Sequence, residues 1–406
     1  MRLPALARLI PTLSILACSA PADTGESEAS SGGGDGTSVG TGATTTASST
    51  GTADSGTTGD ATVIGLGPGP HAVGHASAPL QLGDGRTATV EFWYPAAEGS
   101  SGEPDSLVDF EPAGERHDAL APLVTDAPEP CTRKQSASLR DAAAAPGPWP
   151  TVVFSHCSNC LRISGLSLAE RLASWGFVVA APDHEGNTLY DWLANTSVGV
   201  SAEFLPVRGA DVVAVIDALA ADDAALPASV RGLADTARLG VMGHSFGSVT
   251  TGFVAQSDAR VQAAVAIAAP VENPVLPGVA VADIHVPLLM LLAQEDHSIL
   301  EIGNSLIRSN FADANSPAWL VEFVDAGHWS FSDICALTED FTPGCGEDTR
   351  QVEPHEPFSY VDIEATRARG ADWVAVFFAA HLLDDAAAQQ WLAEAASDDA
   401  IAVQSH

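Results

Sequence analysis

Short apolar runs alternate along most of the chain with stretches whose apolar positions recur every three or four residues. The runs lie at residues 86–94, 151–155, 177–181, 238–242, 261–268, 287–292 and 319–324. Several are unbroken apolar segments, the pattern of strands buried on both faces of a parallel sheet. Helical spacing marks residues 166–175, 203–221, 246–255, 299–311 and 363–383, the last carrying Trp373, Val376, Phe377 and His381. Strand and helix in alternation predict an α/β fold: a doubly wound, mostly parallel sheet in a single domain spanning residues 63–384. Such sheets place their sites at the carboxyl ends of the strands. Residues 96–148 lack clear periodicity and are too long for a plain connector, so they form either a covering loop or a surface excursion. Residues 385–406 read as a C-terminal helix or tail.

The pattern changes at the amino terminus. Arg2 and Arg8 precede a short apolar stretch that ends at Cys18. A basic start, a short apolar run and small residues make residues 1–17 a secretory signal peptide. Ile15-Leu16-Ala17-Cys18 resembles a bacterial lipobox, which predicts lipidation at Cys18 and a cell-envelope lipoprotein, expected in the outer membrane. The alternative is cleavage a few residues later and free secretion. Residues 18–62 are Gly, Ser, Thr, Ala and Asp with almost nothing bulky, so they cannot bury enough apolar surface to offset chain entropy. They are expected to be a spacer.

Composition narrows the function classes. Apolar residues make up 46% of the 406, enough to rule out wholesale disorder. Against 52 acidic residues stand 17 basic ones, a formal net charge of −35. So acidic a surface repels phosphate backbones and anionic headgroups, so nucleic-acid partners are excluded and membrane contact is expected only through a lipid anchor at Cys18. Lys134 is the sole lysine, which removes lysine-based catalysis almost everywhere. No apolar run reaches the roughly 20 residues of a membrane-spanning helix.

The candidate chemistry sits on Gly243-His244-Ser245-Phe246-Gly247. Gly-x-Ser-x-Gly is weak by itself: Gly36-Thr37-Ser38-Val39-Gly40 matches too, inside the spacer. Only the match at Ser245 follows an apolar run and opens a helical one, the context that projects a serine hydroxyl from a sharp turn. The plainer reading is a buried serine in a Gly-rich turn. A serine nucleophile needs a base, and the base a carboxylate to hold its tautomer. His328, after the run 319–324, is the candidate base. Asp296, after the run 287–292, is the candidate acid, with Glu272 as its rival. Two backbone donors complete the set: the N–H of Phe246 and that of Ser158, with Cys157 as second choice. Trp329 and Cys157 are the candidate substrate contacts, although Trp329 and Phe246 could equally be core.

The surrounding residues carry a resemblance. Phe154-Ser155-His156, the run from Leu168 to Phe177, Ala181-Pro182-Asp183-His184, Phe92-Trp93-Tyr94-Pro95 and the run from Leu205 to Asp211 resemble the bacterial dienelactone-hydrolase-like esterases, relatives of the plasma-type platelet-activating-factor acetylhydrolases. The resemblance implies an α/β-hydrolase fold and a serine esterase that cleaves carboxylic esters through an acyl-enzyme, without metal or cofactor. Small-molecule or lipid esters are the implied partners, with polyesters and short-acyl phospholipids as alternatives. A binding lipoprotein without turnover is the reading from another class. The acetylhydrolases carry their acid just after the strand that follows the nucleophile, where this chain has Ala266-Ile267-Ala268-Ala269-Pro270. That departure favours Asp296. Glycine usually follows the family's histidine at the position of Cys157. In an exported protein the cysteines are expected to bridge, Cys335 with Cys345 and then Cys157–Cys160 or Cys131 with one of them. Anionic substrates are disfavoured unless Arg162, beside the donor loop, offsets the field.

Overall fold

The computed structural model describes residues 62–352 and 354–406, so the expected signal peptide, Cys18 and nearly all of the expected spacer lie outside the described residues. In chain order the strands are β1 Val73–Gln81, β2 Thr87–Pro95, β3 Leu139–Arg140, β4 Trp149–Ser155, β5 Val178–Pro182, β6 Ala234–His244, β7 Val261–Ile267, β8 Leu288–Ala293, β9 Ala318–Phe323, β10 Glu347–Thr349, β11 Pro357–Ser359 and β12 Ile401–Ser405. The helices are α1 Glu115–Asp126, α2 Leu166–Ser174, α3 Leu189–Leu193, α4 Leu205–Ala220, α5 Phe246–Ser257, α6 Leu300–Asp313, α7 Ile363–Leu382 and α8 Ala386–Glu394.

Ten strands form one sheet in the order β12-β9-β8-β7-β6-β4-β5-β2-β1-β3, while β10 and β11 make a separate hairpin. From β5 through β9 neighbouring strands pair in parallel; β2 and β12 run against them. The unbroken apolar runs end up buried on both faces, as the pattern requires. Along β8, Leu289, Leu291 and Ala293 enter the core shared with α2, α7 and α8. Leu288, Met290 and Leu292 enter the core shared with α4, α5 and α6. Successive side chains of a strand point to opposite faces, so one hexapeptide seals two cores.

The edges of the fold depart from the periodicity. β1, broken by His75, Ser77 and Gln81, has no clean apolar run, yet it pairs with β2 over its whole length. The stretch 385–406 holds α8, whose Trp391 meets Trp373 of α7 edge to face at 4.7 Å, followed by β12, which pairs antiparallel with β9. Residues 96–148 contain α1 and β3, and their Leu107, Phe110 and Leu120 are fully buried in the core.

The cysteine pairing corrects the expectation for Cys335 and Cys345. Cys345 pairs with Cys131 across 214 residues of chain, Cys157 pairs with Cys160, and Cys335 stays a buried thiol whose pKa burial pushes up to about 12. Proximity in sequence misled because the segment after His328 turns inward. Cys335 enters the core, where its carbonyl accepts from Thr132 Oγ1 at 2.5 Å. The Thr132–Ile334 bridge then lays the 131 region beside this segment, within reach of Cys345.

Candidate active site

β6 ends at His244, and α5 starts two residues later with Ser245 as its N-cap, at φ 57° and ψ −118°. A non-glycine residue in that region is strained, and such strain concentrates where a side chain must be presented. The flanking glycines are sterically required. A Cβ at Gly243 would stand 2.2 Å from the Gly247 carbonyl oxygen, and one at Gly247 would stand 1.9 Å from the Ser155 carbonyl oxygen. Gly247 thus lets α5 touch the end of β4. Ser248 braces the turn, its hydroxyl within 3.0 Å of the Gly243 and Ile267 carbonyl oxygens.

Asp296 and His328 arrive from the ends of β8 and β9. Asp296 is fully buried, and its Oδ1 accepts from the N–H groups of Ser298 and Ile299, both at 3.0 Å. Its other oxygen lies 2.7 Å from His328 Nδ1. That contact leaves Nε2 of His328 as the free ring nitrogen. Among the described residues no hydrogen bond joins Nε2 to the Ser245 hydroxyl, and such contacts often tighten only when a ligand binds. Glu272 lies elsewhere, accepting from the Val281 N–H at 2.8 Å. His244 was not singled out from the sequence. Its Nε2 lies 2.9 Å from the His328 carbonyl oxygen, and burial lowers its pKa to about 3, so it is a neutral donor holding the His328 backbone.

The other side of the site is the loop after β4. Among the described residues, the N–H groups of Ser158 and Phe246 have no acceptor. The loop is fixed all round. Cys157 and Cys160 bracket Ser158 with their disulfide, Asn159 N–H donates to the Asn187 carbonyl at 3.1 Å, and Leu189 N–H to the Cys160 carbonyl at 3.0 Å. The side chain of Cys157 is thus tied up in a disulfide and buried, which removes it as a substrate contact. Trp329 is 5% exposed and packs on Phe341 and edge to face on His328 at 5.4 Å. Arg162 does not face the site. Its enclosed guanidinium donates to Glu111 at 2.5 Å, Asp183 at 2.8 Å and the Phe110 carbonyl at 2.7 Å, so it cannot offset the field for an anionic ligand.

A second Ser-His-Asp array stands behind the loop. Ser155 Oγ lies 2.9 Å from His184 Nε2, and His184 Nδ1 lies 2.9 Å from Asp211 Oδ2. Burial, reinforced by Arg208, holds the His184 pKa well below its ordinary value, so the ring is neutral. With Ser155 only 2% exposed the array is sealed, and no substrate reaches it.

Comparison with known proteins agrees with this architecture. The sequence model of the Dienelactone hydrolase family matches residues 137–334, a span that includes Ser245, Asp296 and His328. That of platelet-activating factor acetylhydrolase, isoform II, matches residues 79–191. A ferulic acid esterase from Streptomyces cinnamoneus superposes with a TM-score of 0.56 at 24% identity, covering 79% of this chain and 94% of its own. At that identity the likeness speaks for the fold. No curated protein matches the chain. The chain thus has an α/β-hydrolase fold, and over residues 137–334 it is similar to the dienelactone hydrolases.

Proposed function

We propose that this protein is an exported serine hydrolase that cleaves carboxylic esters. The observation carrying the reading is the strained Ser245 at the start of α5, whose neighbour His244 contacts the His328 backbone, together with the Asp296–His328 pair at the ends of β8 and β9. In the proposed cycle His328 Nε2 takes the proton of the Ser245 hydroxyl as its oxygen attacks the ester carbonyl. The carbonyl oxygen gains negative charge and is met by the N–H groups of Ser158 and Phe246. His328 then protonates the leaving alcohol, and water, deprotonated by the same nitrogen, releases the acid from Ser245. Asp296 holds the tautomer and stabilises the imidazolium. No metal or cofactor enters these steps.

Export and lipidation at Cys18 belong to the same proposal, carried by the amino-terminal sequence. The acetylhydrolase match ends at residue 191, before all three triad positions, so it lends little to a phospholipid specificity. The test is turnover of p-nitrophenyl esters of increasing acyl length by the wild type and by Ser245→Ala. Wild-type hydrolysis that falls at least ~10³-fold in the variant is expected. Hydrolysis unchanged in the variant, or none in the wild type, overturns the reading.

A further inference from the structure

We propose that Arg208 is the positioning residue of the oxyanion hole, fixing both of its backbone donors from behind. The inference rests on the esterase reading and adds to it a group that touches no substrate. Arg208, on α4, is fully buried, and its guanidinium spends every nitrogen on the site's framework. Nη2 donates to the His156 carbonyl oxygen and, at 3.1 Å, to Ser155 Oγ, fastening the end of β4 where the Ser158 loop begins. Nη1 donates to Asn187 Oδ1 at 2.8 Å, which orients the Asn187 amide so that its Nδ2 donates to Ser158 Oγ at 3.0 Å. Nε donates to Thr250 Oγ1 at 3.1 Å, and the cation lies 4.6 Å from the centroid of the Phe246 ring. Thr250 in turn bonds the Phe246 carbonyl oxygen at 3.0 Å. One side chain therefore ties the segment carrying the Ser158 N–H to the helix carrying the Phe246 N–H.

Enclosing such a cation is costly, and among the described residues no carboxylate lies within ion-pair distance of Arg208. The acceptors are carbonyl, hydroxyl and amide oxygens. Burial pulls its pKa down to about 9, with Asp211 opposing, so it stays charged at neutral pH. The sealed Ser155–His184–Asp211 array also finds a place here. With His184 neutral, the Ser155 hydroxyl donates to His184 Nε2 and turns its lone pairs to Arg208. A positive charge just behind the two donors also favours an anion forming in front of them.

The test compares Arg208→Met, Arg208→Lys and Asn187→Ala with the wild type on p-nitrophenyl butyrate, alongside thermal unfolding. Because oxyanion donors act in the transition state, Arg208→Met is expected to lower kcat ~100-fold with KM changed less than ~3-fold. Arg208→Lys should recover part of that loss, and Asn187→Ala should lower kcat ~10-fold. A folded Arg208→Met with wild-type kcat, or one whose loss falls wholly on KM, overturns the proposal. If Arg208→Met does not fold, Asn187→Ala decides: wild-type kcat there overturns it. A wild type inactive on all esters removes the underlying reading, whereas an active wild type beside unaltered variants removes this proposal alone.

Discussion

At the residue scale, Ser245, Asp296 and His328 stand out as candidates in the sequence because each follows an apolar strand by a few positions, and strand ends are where such sheets present side chains. His244 and Arg208 do not. Nothing local tells a histidine that braces a neighbour's backbone from one on the surface, and Arg208 acquires its partners only when α4 packs across β4, β5 and α5. Arg162 follows the loop in sequence, yet its burial among Glu91, Glu111 and Asp183 cannot be inferred from position. Asp296→Asn should leave the fold intact and lower kcat on a p-nitrophenyl ester by ~10³–10⁴-fold, since an amide stabilises the wrong imidazole tautomer. A loss under tenfold would remove Asp296 from the mechanism. Gly247→Ala puts a methyl group 1.9 Å from a backbone oxygen that cannot yield cheaply. It should lower both the melting temperature and kcat, and a variant with wild-type values of both would contradict the tight turn described.

Among the elements, apolar periodicity found the parallel strands β4 to β9 and their helices, whose spacing is set by burial on two faces. It missed the outlying strands β1 and β12, which pair through backbone groups and need no apolar run, and α1, whose buried face is only Leu120 and Val124. The bridges are another element-scale property, because pairing depends on which loops the core brings together. With Cys131–Cys345 and Cys157–Cys160 formed, a protein carrying Cys18→Ser should titrate one thiol after denaturation without reductant and none when native. Two or more thiols would contradict this pairing. Replacing Cys131 and Cys345 together by serine should cost about 5 kcal/mol of stability, read by denaturant unfolding, since a closure of 214 residues is released.

For the molecule as a whole, acid sensitivity comes from inside rather than from the acidic surface. His156, His184 and His244 are buried and neutral; burial lowers His156 and His244 to about 3 and His184 well below its ordinary value. In the unfolded chain such rings titrate near ~6.5. Below that pH the unfolded state binds protons that the native state refuses, so stability is present above ~6.5 and falls on acidification. For His156 and His244 the loss continues down to about 3. The slope is at most about 1.4 kcal/mol per pH unit for each ring, or about 4 for the three together. The melting temperature should therefore drop steadily between pH 6.5 and 5, and a flat or rising profile would contradict three neutral buried imidazoles.

Ser245 of the proposed Ser245–His328–Asp296 set is partly exposed, whereas Ser155 of the Ser155–His184–Asp211 array is buried. Reaction with a fluorophosphonate probe, with the modified peptide located by mass spectrometry, separates them directly. Covalent labelling on Ser245, abolished in Ser245→Ala and absent from Ser155, is the predicted result. An unlabelled protein, or a label that persists in Ser245→Ala, would contradict Ser245 as the nucleophile.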